Sequence, residues 1–77
     1  MNNKVIVYSK PDCGACDITK AWLEGNGIEY EAIDATADPI AMEELQEQGY
    51  MSFPVVNVNN WERSWSGFDF QNLGELL

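Results

Sequence analysis

The sequence predicts one small α/β domain in which strands and helices follow the order β-α-β-α-β-β-α, with a four-stranded mixed sheet flanked by three helices. In the first half of the chain, short β-branched and aromatic runs alternate with stretches whose apolar residues recur at helical spacing. Two further strand-like runs follow with a short gap between them, which is typical of an antiparallel hairpin. The length of 77 residues is enough for one core, so the domain is expected to span residues 1–77.

The first three elements are predicted to be a strand, a helix and a second strand. Residues 4–8 are β-branched and aromatic, and a polar segment ends this strand. The helix includes residues 17–24, with residues 13–16 at its first turn, and two glycines within residues 25–27 end it. Residues 28–34 then form the second strand. A strand, a helix and a second strand this short favour a right-handed crossover connection between two parallel strands.

The second helix has the clearest boundaries in the sequence. Asp38 is a favoured N-cap residue, Pro39 fits the first helical position, and Gly49 follows the last turn. Three apolar residues lie on one side of this helix: Ala41, Met42 and Leu45. Together these features predict a helix between Asp38 and Gly49.

The last third of the chain is predicted to form a hairpin and a short helix. Residues 53–58 and 61–65 are expected to pair antiparallel across two asparagines, which tolerate positive φ. Alternation along the last strand places Trp61, Arg63 and Trp65 on one face. There the Arg63 guanidinium either stacks between the two indole rings or covers the edge of the sheet. Ser66 and Gly67 then open the helix. Its core-facing residues are expected to be Phe68, Leu73 and Leu76.

The charge balance excludes several classes of function. Four Lys and Arg residues against thirteen Asp and Glu residues give a net charge of −9, which repels the phosphate backbone of nucleic acids. The chain has no histidine, which excludes a Ser-His-Asp triad, a Cys-His pair and an imidazole metal site. The apolar fraction of 45% indicates a folded protein rather than a disordered acidic tail.

Hydropathy gives no sign of membrane association. No apolar run approaches the roughly 20 residues of a membrane-spanning helix, and the N-terminus is too short and too polar for a signal peptide. We therefore expect a cytoplasmic protein, in the host cytoplasm if a virus encodes the chain. In that reducing compartment, the cysteines are expected to be catalytic or metal-binding rather than structural.

The motif that carries chemistry is Cys13-x-x-Cys16, directly after the first strand and at the start of the first helix. This spacing places both cysteines on one side of a helical turn, within reach of a disulfide. At the helix N-terminus, unpaired N–H groups and the positive end of the helix dipole favour the thiolate of Cys13, which makes it the nucleophile. Cys16, one turn further in, is then the resolving thiol that attacks the mixed disulfide formed by Cys13.

Charged neighbours act on the two cysteines in opposite directions. Lys10 and Lys20 favour thiolates, whereas Asp12 and Asp17 oppose them. We expect the pKa of Cys13 to be lowered less than in strongly oxidising proteins, which suits a reductant.

Three other interpretations of the sequence are less well supported. As a structural staple, the disulfide closes so short a loop that it contributes roughly 2 kcal/mol at best. As a metal site, the pair lacks the four ligands that zinc or an iron–sulfur cluster takes, so no metal is expected. The chain can also be a non-enzymatic acidic adaptor, with incidental cysteines and an aromatic strand as its docking surface.

Three segments resemble the NrdH-redoxins, which are glutaredoxin-like members of the thioredoxin superfamily. These are the Cys-x-x-Cys segment at residues 8–16, Gly-Tyr and Phe-Pro-Val-Val within residues 49–56, and Trp-Ser-Gly-Phe at residues 65–68. The resemblance covers nearly the whole chain and implies a thioredoxin-like fold. It also implies a thiol–disulfide oxidoreductase without a bound cofactor. Such a protein takes electrons from NADPH through thioredoxin reductase and passes them to class Ib ribonucleotide reductase, and we expect a monomer.

The resemblance also assigns residues that bind the partner. It implies a cis peptide bond before Pro54, beside the cysteines, and a Phe53 backbone that hydrogen-bonds an incoming chain. Without it, Pro54 is most simply a trans proline that opens an edge strand. Four residues match the segment that shapes the surface beside the active site, although the two aromatic ones also suit the core: Trp65, Ser66, Gly67 and Phe68. The chain departs from the family at residues 14–15 and at residues 69–71, where an arginine usually stands, which leaves the partner open.

A glutathione-dependent glutaredoxin is the alternative function. Lys10 stands where glutaredoxins place a glutathione-contacting lysine, and Asp69 matches an acidic residue at the start of their last helix. Against this function, residues 48–53 lack the basic residue that glutaredoxins place before the proline. The net charge of −9 also disfavours the anionic glutathione, so thioredoxin reductase is preferred as the electron donor.

Overall fold

A computed structural model of the chain describes residues 3–77; Met1 and Asn2 of the predicted domain lie outside these residues. Seven elements are present: β1 (Val5–Ser9), α1 (Gly14–Gly25), β2 (Glu31–Asp34), α2 (Pro39–Glu47), β3 (Val55–Val58), β4 (Arg63–Ser66) and α3 (Phe70–Gly74). The strands form one sheet in the order β2-β1-β3-β4. The pair β1–β2 is parallel, whereas β1–β3 and β3–β4 are antiparallel. The predicted element order and the mixed four-stranded sheet are therefore confirmed.

Each face of the sheet is covered by helices, because successive side chains of a strand point to opposite faces. One face packs against α1 and α3, and its buried residues are Val5, Val7, Leu23, Val56, Val58, Trp65 and Leu73. The other face packs against α2, and its buried residues are Tyr8, Ala35, Ala41, Leu45 and Val55. The central strands β1 and β3 contribute to both cores, which makes them the rigid platform for the loops at their ends.

The second helix begins and ends where the sequence predicts. The Asp38 carboxylate accepts hydrogen bonds from the N–H groups of Ile40 and Ala41, both at 3.1 Å, and so caps the helix. Gly49 adopts φ +84°, which reverses the chain so that the Tyr50 N–H donates to the Leu45 carbonyl at 2.9 Å. Both ends of α2 are thus determined by local interactions.

The hairpin between β3 and β4 differs from the prediction. Val58 pairs with Arg63, so the connection has four residues rather than two, and Trp61 belongs to the turn instead of the strand. Trp61 adopts φ +70° after two asparagines that also have positive φ. Its N–H donates to the Asn57 side chain at 2.6 Å, which compensates for the unfavourable backbone conformation. The prediction that Trp61 shares a face with Arg63 and Trp65 is therefore wrong.

The side chain of Trp61 instead completes the core beneath α2. Its ring stacks on Tyr8 with centroids 5.7 Å apart and on Tyr50 at 6.3 Å. Its indole N–H donates to Glu44 of α2 at 3.3 Å. Trp65 packs on the opposite face of the sheet. The two tryptophans thus belong to different cores.

Two strands and the last helix begin later than predicted. The second strand begins at Glu31 rather than at residue 28, because pairing with β1 starts where Ile6 meets Glu31. The third begins at Val55, after a proline that has no N–H to donate. Ser66 ends β4, and Asp69 rather than Ser66 or Gly67 precedes α3.

The packing of the last helix confirms the prediction in part. Leu73 is fully buried and Leu76 packs against the same core, as expected. Phe68 is 39% exposed, so its predicted core position is wrong. It precedes the N-cap Asp69 and therefore lies outside the helix. Within residues 3–77, no helix has the length and apolar character needed to cross a membrane.

Candidate active site

The two cysteines form a disulfide at the N-terminus of α1. Cys13 is the N-cap residue of the helix, Cys16 lies in its first turn, and their Cα atoms are 5.2 Å apart. The predicted spacing within reach of a disulfide is therefore observed. Cys13 is 8% exposed and Cys16 only 1%, so Cys13 is the more accessible residue of the pair.

The backbone before the helix determines how Cys13 is presented. The chain leaves β1 at Ser9 and turns at Asp12, which adopts φ +57°, a conformation that aspartate tolerates better than most residues. Cys13 itself is extended, and its Sγ accepts a hydrogen bond from the Cys16 N–H at 3.1 Å. That donor and the positive end of the helix dipole lie at the Cys13 sulfur, an arrangement that favours a thiolate over a thiol.

A cis peptide bond joins Phe53 to the buried Pro54, as the family resemblance implies. Val55 pairs with Tyr8, so Pro54 lies at the end of β1 that leads to Cys13. The Pro54 carbonyl accepts a hydrogen bond from the Gly67 N–H at 2.7 Å. Within residues 3–77, the backbone of Phe53 makes no hydrogen bond to another backbone group. Its ring is half-buried against the α2 core.

The predicted partner-binding segment lies beside this proline. Ser66 is exposed, and its hydroxyl accepts a hydrogen bond from the Ser52 hydroxyl at 3.4 Å. Gly67 adopts φ +83°, which favours glycine and lets the chain turn past Pro54 towards the partly exposed Phe68. The structure therefore brings Ser66 and Gly67 together with the segment before β3.

Trp65 supports this segment from inside the core. It is 6% exposed, and its indole N–H is buried without a hydrogen-bond partner within the described residues. The Arg63 guanidinium lies 5.5 Å from the centre of the Trp65 ring. Arg63 also donates to the Asn72 side chain at 3.0 Å and pairs with Glu75 at 3.2 Å. Of the two alternatives for Arg63, the cation–π contact is observed, with one indole rather than two.

The two lysines near the motif have different surroundings. Lys10 is exposed and pairs with no carboxylate among residues 3–77. Lys20 acts on Asp34 of β2, whose pKa is lowered chiefly by the Thr36 hydroxyl and to a smaller extent by this lysine. Within the same residues, no group of three or more acidic or cysteine side chains converges on a position that could hold a metal ion.

The carboxylate of Asp69, next to Phe68 in sequence, caps the N-terminus of α3. The Asp69 carboxylate accepts hydrogen bonds from the Asn72 backbone N–H at 3.0 Å and from the Asn72 side-chain amide at 2.7 Å. The backbone hydrogen bond, followed by the side-chain one, lowers the pKa of Asp69 below its ordinary value of 3.8. This group therefore stabilises the fold above that value, and its contribution is lost as the pH falls through the lowered pKa.

We expect the Asn72→Ala variant to raise the pKa of Asp69 part of the way back, since the amide donor is removed while the backbone donor remains. An NMR titration of the side-chain carboxyl carbon measures this pKa directly. Asn26→Ala serves as the control, because Asn26 caps the far end of α1. An Asp69 midpoint that is the same in Asn72→Ala as in the parent protein would contradict this assignment.

Some residues of the site are not identified by sequence motifs. Asp12 supplies the left-handed turn before Cys13, and the only sequence signal is that aspartate tolerates this conformation. Ser52 and Ser66 meet although 14 residues separate them. Thr19 of α1 is fully buried, and its hydroxyl donates to the Ala15 carbonyl at 2.8 Å. Contacts of this kind depend on how the segments pack.

The site and the fold together define a class of protein. A sheet of order β2-β1-β3-β4 carries a redox-active pair of cysteines at the start of α1, with a cis-proline opening the adjacent strand. These features define a small dithiol redoxin with a thioredoxin-like fold.

Comparison with known proteins identifies the family within this class. The Glutaredoxin family model matches residues 5–61. The glutaredoxin-like protein NrdH of Escherichia coli K12 is 37% identical over 65 residues, which cover 84% of this chain and 78% of that protein. NrdH of Lactococcus lactis IL1403 is 32% identical over 72 residues, covering 94% and 97%. The structure of E. coli NrdH-redoxin aligns with a TM-score of 0.90 at 34% identity, covering 96% and 95%. The chain belongs to the glutaredoxin-like NrdH-redoxin family of the thioredoxin superfamily.

Proposed function

We propose that this protein reduces disulfides of other proteins by thiol–disulfide exchange, and that thioredoxin reductase recharges it with electrons from NADPH. The recipient that best suits the family is class Ib ribonucleotide reductase, and the reducing cytoplasm is the compartment in which the protein would act. The observation that supports the proposal most directly is the position of Cys13 as N-cap of α1, with its sulfur accepting the Cys16 N–H. The E. coli relative is described as having a thioredoxin-like activity profile.

The exchange takes place in two balanced steps. The Cys13 thiolate attacks one sulfur of the target disulfide, whose S–S bond breaks, and the released target sulfur takes up a proton. The Cys16 thiol then loses its proton and attacks the Cys13 sulfur, which releases the second target sulfur to take up a proton. The target gains two electrons and two protons, and the redoxin is left with the Cys13–Cys16 disulfide of this structure.

The surface around the sulfurs supports docking of an extended target chain. The Phe53 backbone groups are free of backbone partners within residues 3–77, so a target segment could pair with them as an added strand beside the cis-proline. Ser66 and Gly67 border the same position, Phe68 follows them in sequence, and all three would contact the target beyond its disulfide. This arrangement needs no bound cofactor, because the electrons are stored in the sulfur pair.

The competing donor is glutathione, and the balance of charge argues against it. Lys10 is the exposed cation close to the motif, whereas the whole chain carries a net charge of −9 that repels the glutathione anion. We expect NADPH with thioredoxin reductase to reduce the oxidised protein about tenfold faster than glutathione at matched concentrations of reducing equivalents. Absorbance of NADPH measures both rates when glutathione is coupled to glutathione reductase.

The two reduction rates separate the two redox functions, and alkylation of the cysteines separates both from an adaptor. Faster reduction by glutathione would make the protein a glutathione-dependent glutaredoxin. An adaptor without redox function would keep its cellular role after alkylation of both cysteines, whereas the proposed redoxin would lose it. A protein in which Cys13 and Cys16 are both replaced by Ser is the control for reduction that does not pass through the pair.

A further inference from the structure

An exposed isoleucine follows the disulfide on α1, and an exposed ring of α3 contacts the same helix one turn further on. Ile18 of α1 is 55% exposed and Phe70 at the start of α3 is 68% exposed. Trp22 lies one turn after Ile18 on the same side of α1, and its ring meets the Phe70 ring edge-on with centroids 6.5 Å apart. We call Ile18, Trp22 and Phe70 the α1–α3 strip. It begins two residues after Cys16 and runs away from the sulfurs along the helix.

The strip is separate from the side of α1 that the fold needs. The residues that bury this helix against the sheet are Cys16, Thr19 and Leu23. The opposite flank of the helix is charged and turned towards β2, since the Tyr30 hydroxyl donates to Glu24 and Lys20 acts on Asp34. On the flank towards α3, Trp22 is half-buried and packs against the core, whereas Ile18 and Phe70 stay largely exposed and are not accounted for by packing of the domain.

Two of the other strongly exposed apolar residues have polar neighbours in sequence. Ile40 is 74% exposed on the first turn of α2, followed by the exposed acidic residues Glu43 and Glu44. Met51 is 96% exposed in a loop, next to the exposed Ser52. Only on the strip, among residues 3–77, does an exposed apolar ring form an aromatic contact with another element. This arrangement distinguishes a docking surface from scattered exposed residues.

Charge determines which partner the strip fits. Asp17 precedes Ile18, and the capping carboxylate Asp69 precedes Phe70, so both ends of the strip carry an acidic neighbour. A second copy of this chain would bring a further net charge of −9, which opposes self-association at this surface. A cationic partner is attracted by the same charges.

We propose that the α1–α3 strip docks a segment of the protein partner in which an aliphatic or aromatic side chain is flanked by lysine or arginine. The apolar side chain would cover Ile18, Trp22 and Phe70, while the flanking cations would face Asp17 and Asp69. The inference rests on the proposed function, since it names the partner chemistry for a redoxin whose sulfurs lie at one end of the strip. Such docking would be fastest at low ionic strength and would weaken as salt screens the acidic border.

The test uses two short fluorescent peptides without cysteine, which differ only in whether lysine or glutamate flanks a central leucine. Anisotropy measures their binding to the oxidised protein at low ionic strength. We expect the lysine peptide to bind about tenfold more tightly than the glutamate peptide, and Ile18→Ser to weaken its binding about fivefold. Ile40→Ser is the matched control, because the same substitution removes an even more exposed isoleucine on α2 and should leave binding unchanged.

Several outcomes would overturn the proposal. Equal affinity of the two peptides would remove the role of charge, and equal binding by Ile18→Ser and Ile40→Ser would remove the role of the strip. Phe70→Ser provides a second variant outside α1 should Ile18→Ser lose its helical circular dichroism. Because the peptides carry no cysteine, their binding does not depend on disulfide exchange. If the lysine peptide binds as expected but thioredoxin reductase does not reduce the protein, the proposed function is refuted and the proposed docking site is not.

Discussion

Replacing Cys13 by serine is expected to abolish disulfide reduction, with turnover falling by at least about a thousandfold. A serine hydroxyl stays protonated at neutral pH, so the N–H of Cys16 and the helix dipole have no thiolate to stabilise. Reduction of insulin disulfides, started with the reduced variant, measures the loss. Circular dichroism of the same variant shows whether α1 is still formed, so that lost chemistry is distinguished from lost structure.

Cys16→Ser should fail in a different way. The nucleophile is still present and still attacks, but the almost fully buried sulfur that resolves the mixed disulfide is missing. We expect a stable complex in which Cys13 is bonded to the target, visible on a non-reducing gel and released by dithiothreitol. If both variants lost activity equally and neither trapped the target, the assignment of nucleophile and resolving thiol would be refuted.

The second large effect concerns the core that holds α1 in place. Leu23 of α1 is completely buried against the sheet, about two turns after Cys16. Leu23→Ala should lower the free energy of unfolding by about 2–5 kcal/mol, because it removes buried apolar surface and leaves a cavity. For a chain of this length the total is only about 4–12 kcal/mol, so a substantial fraction of the stability would be lost.

Leu77 provides the matched control for this substitution. It is 76% exposed, so Leu77→Ala should change the free energy of unfolding by no more than about 0.5 kcal/mol. Urea denaturation of the oxidised proteins, followed by circular dichroism, gives both values under one redox state. Equal urea midpoints for the two variants would show that Leu23 does not contribute the predicted free energy of unfolding.

The two effects are connected through α1. The same helix presents the sulfurs at its N-terminus and buries Thr19 and Leu23 against the central strands. The neighbouring strand β3 begins directly after Pro54, and the Gly67 N–H ties the Pro54 carbonyl to the segment after β4. The redox pair is therefore held by rigid central elements, while Phe53 and Gly67 beside it lie on loops.

Features that depend on neighbouring residues are determined by the sequence itself. Asp38, Pro39 and Gly49 bound α2 through hydrogen bonds and backbone preferences that act within one turn. The spacing of Cys13 and Cys16 brings their Cα atoms to 5.2 Å because a helical turn has a constant geometry. The mixed sheet follows from the order of the elements, since a short crossover and a hairpin allow few other arrangements.

Other features were decided only by the tertiary structure. Trp61 is placed in a left-handed turn, where its backbone is held by Asn57 and its ring by Tyr8, a residue more than fifty positions away. Phe68 is left partly exposed between Gly67, which is hydrogen-bonded to Pro54, and the N-cap of α3. The exposed strip exists because Phe70 reaches Trp22 from the other end of the sequence. Periodicity describes one segment at a time, whereas these positions depend on which distant segments pack together and which side chains they leave uncovered.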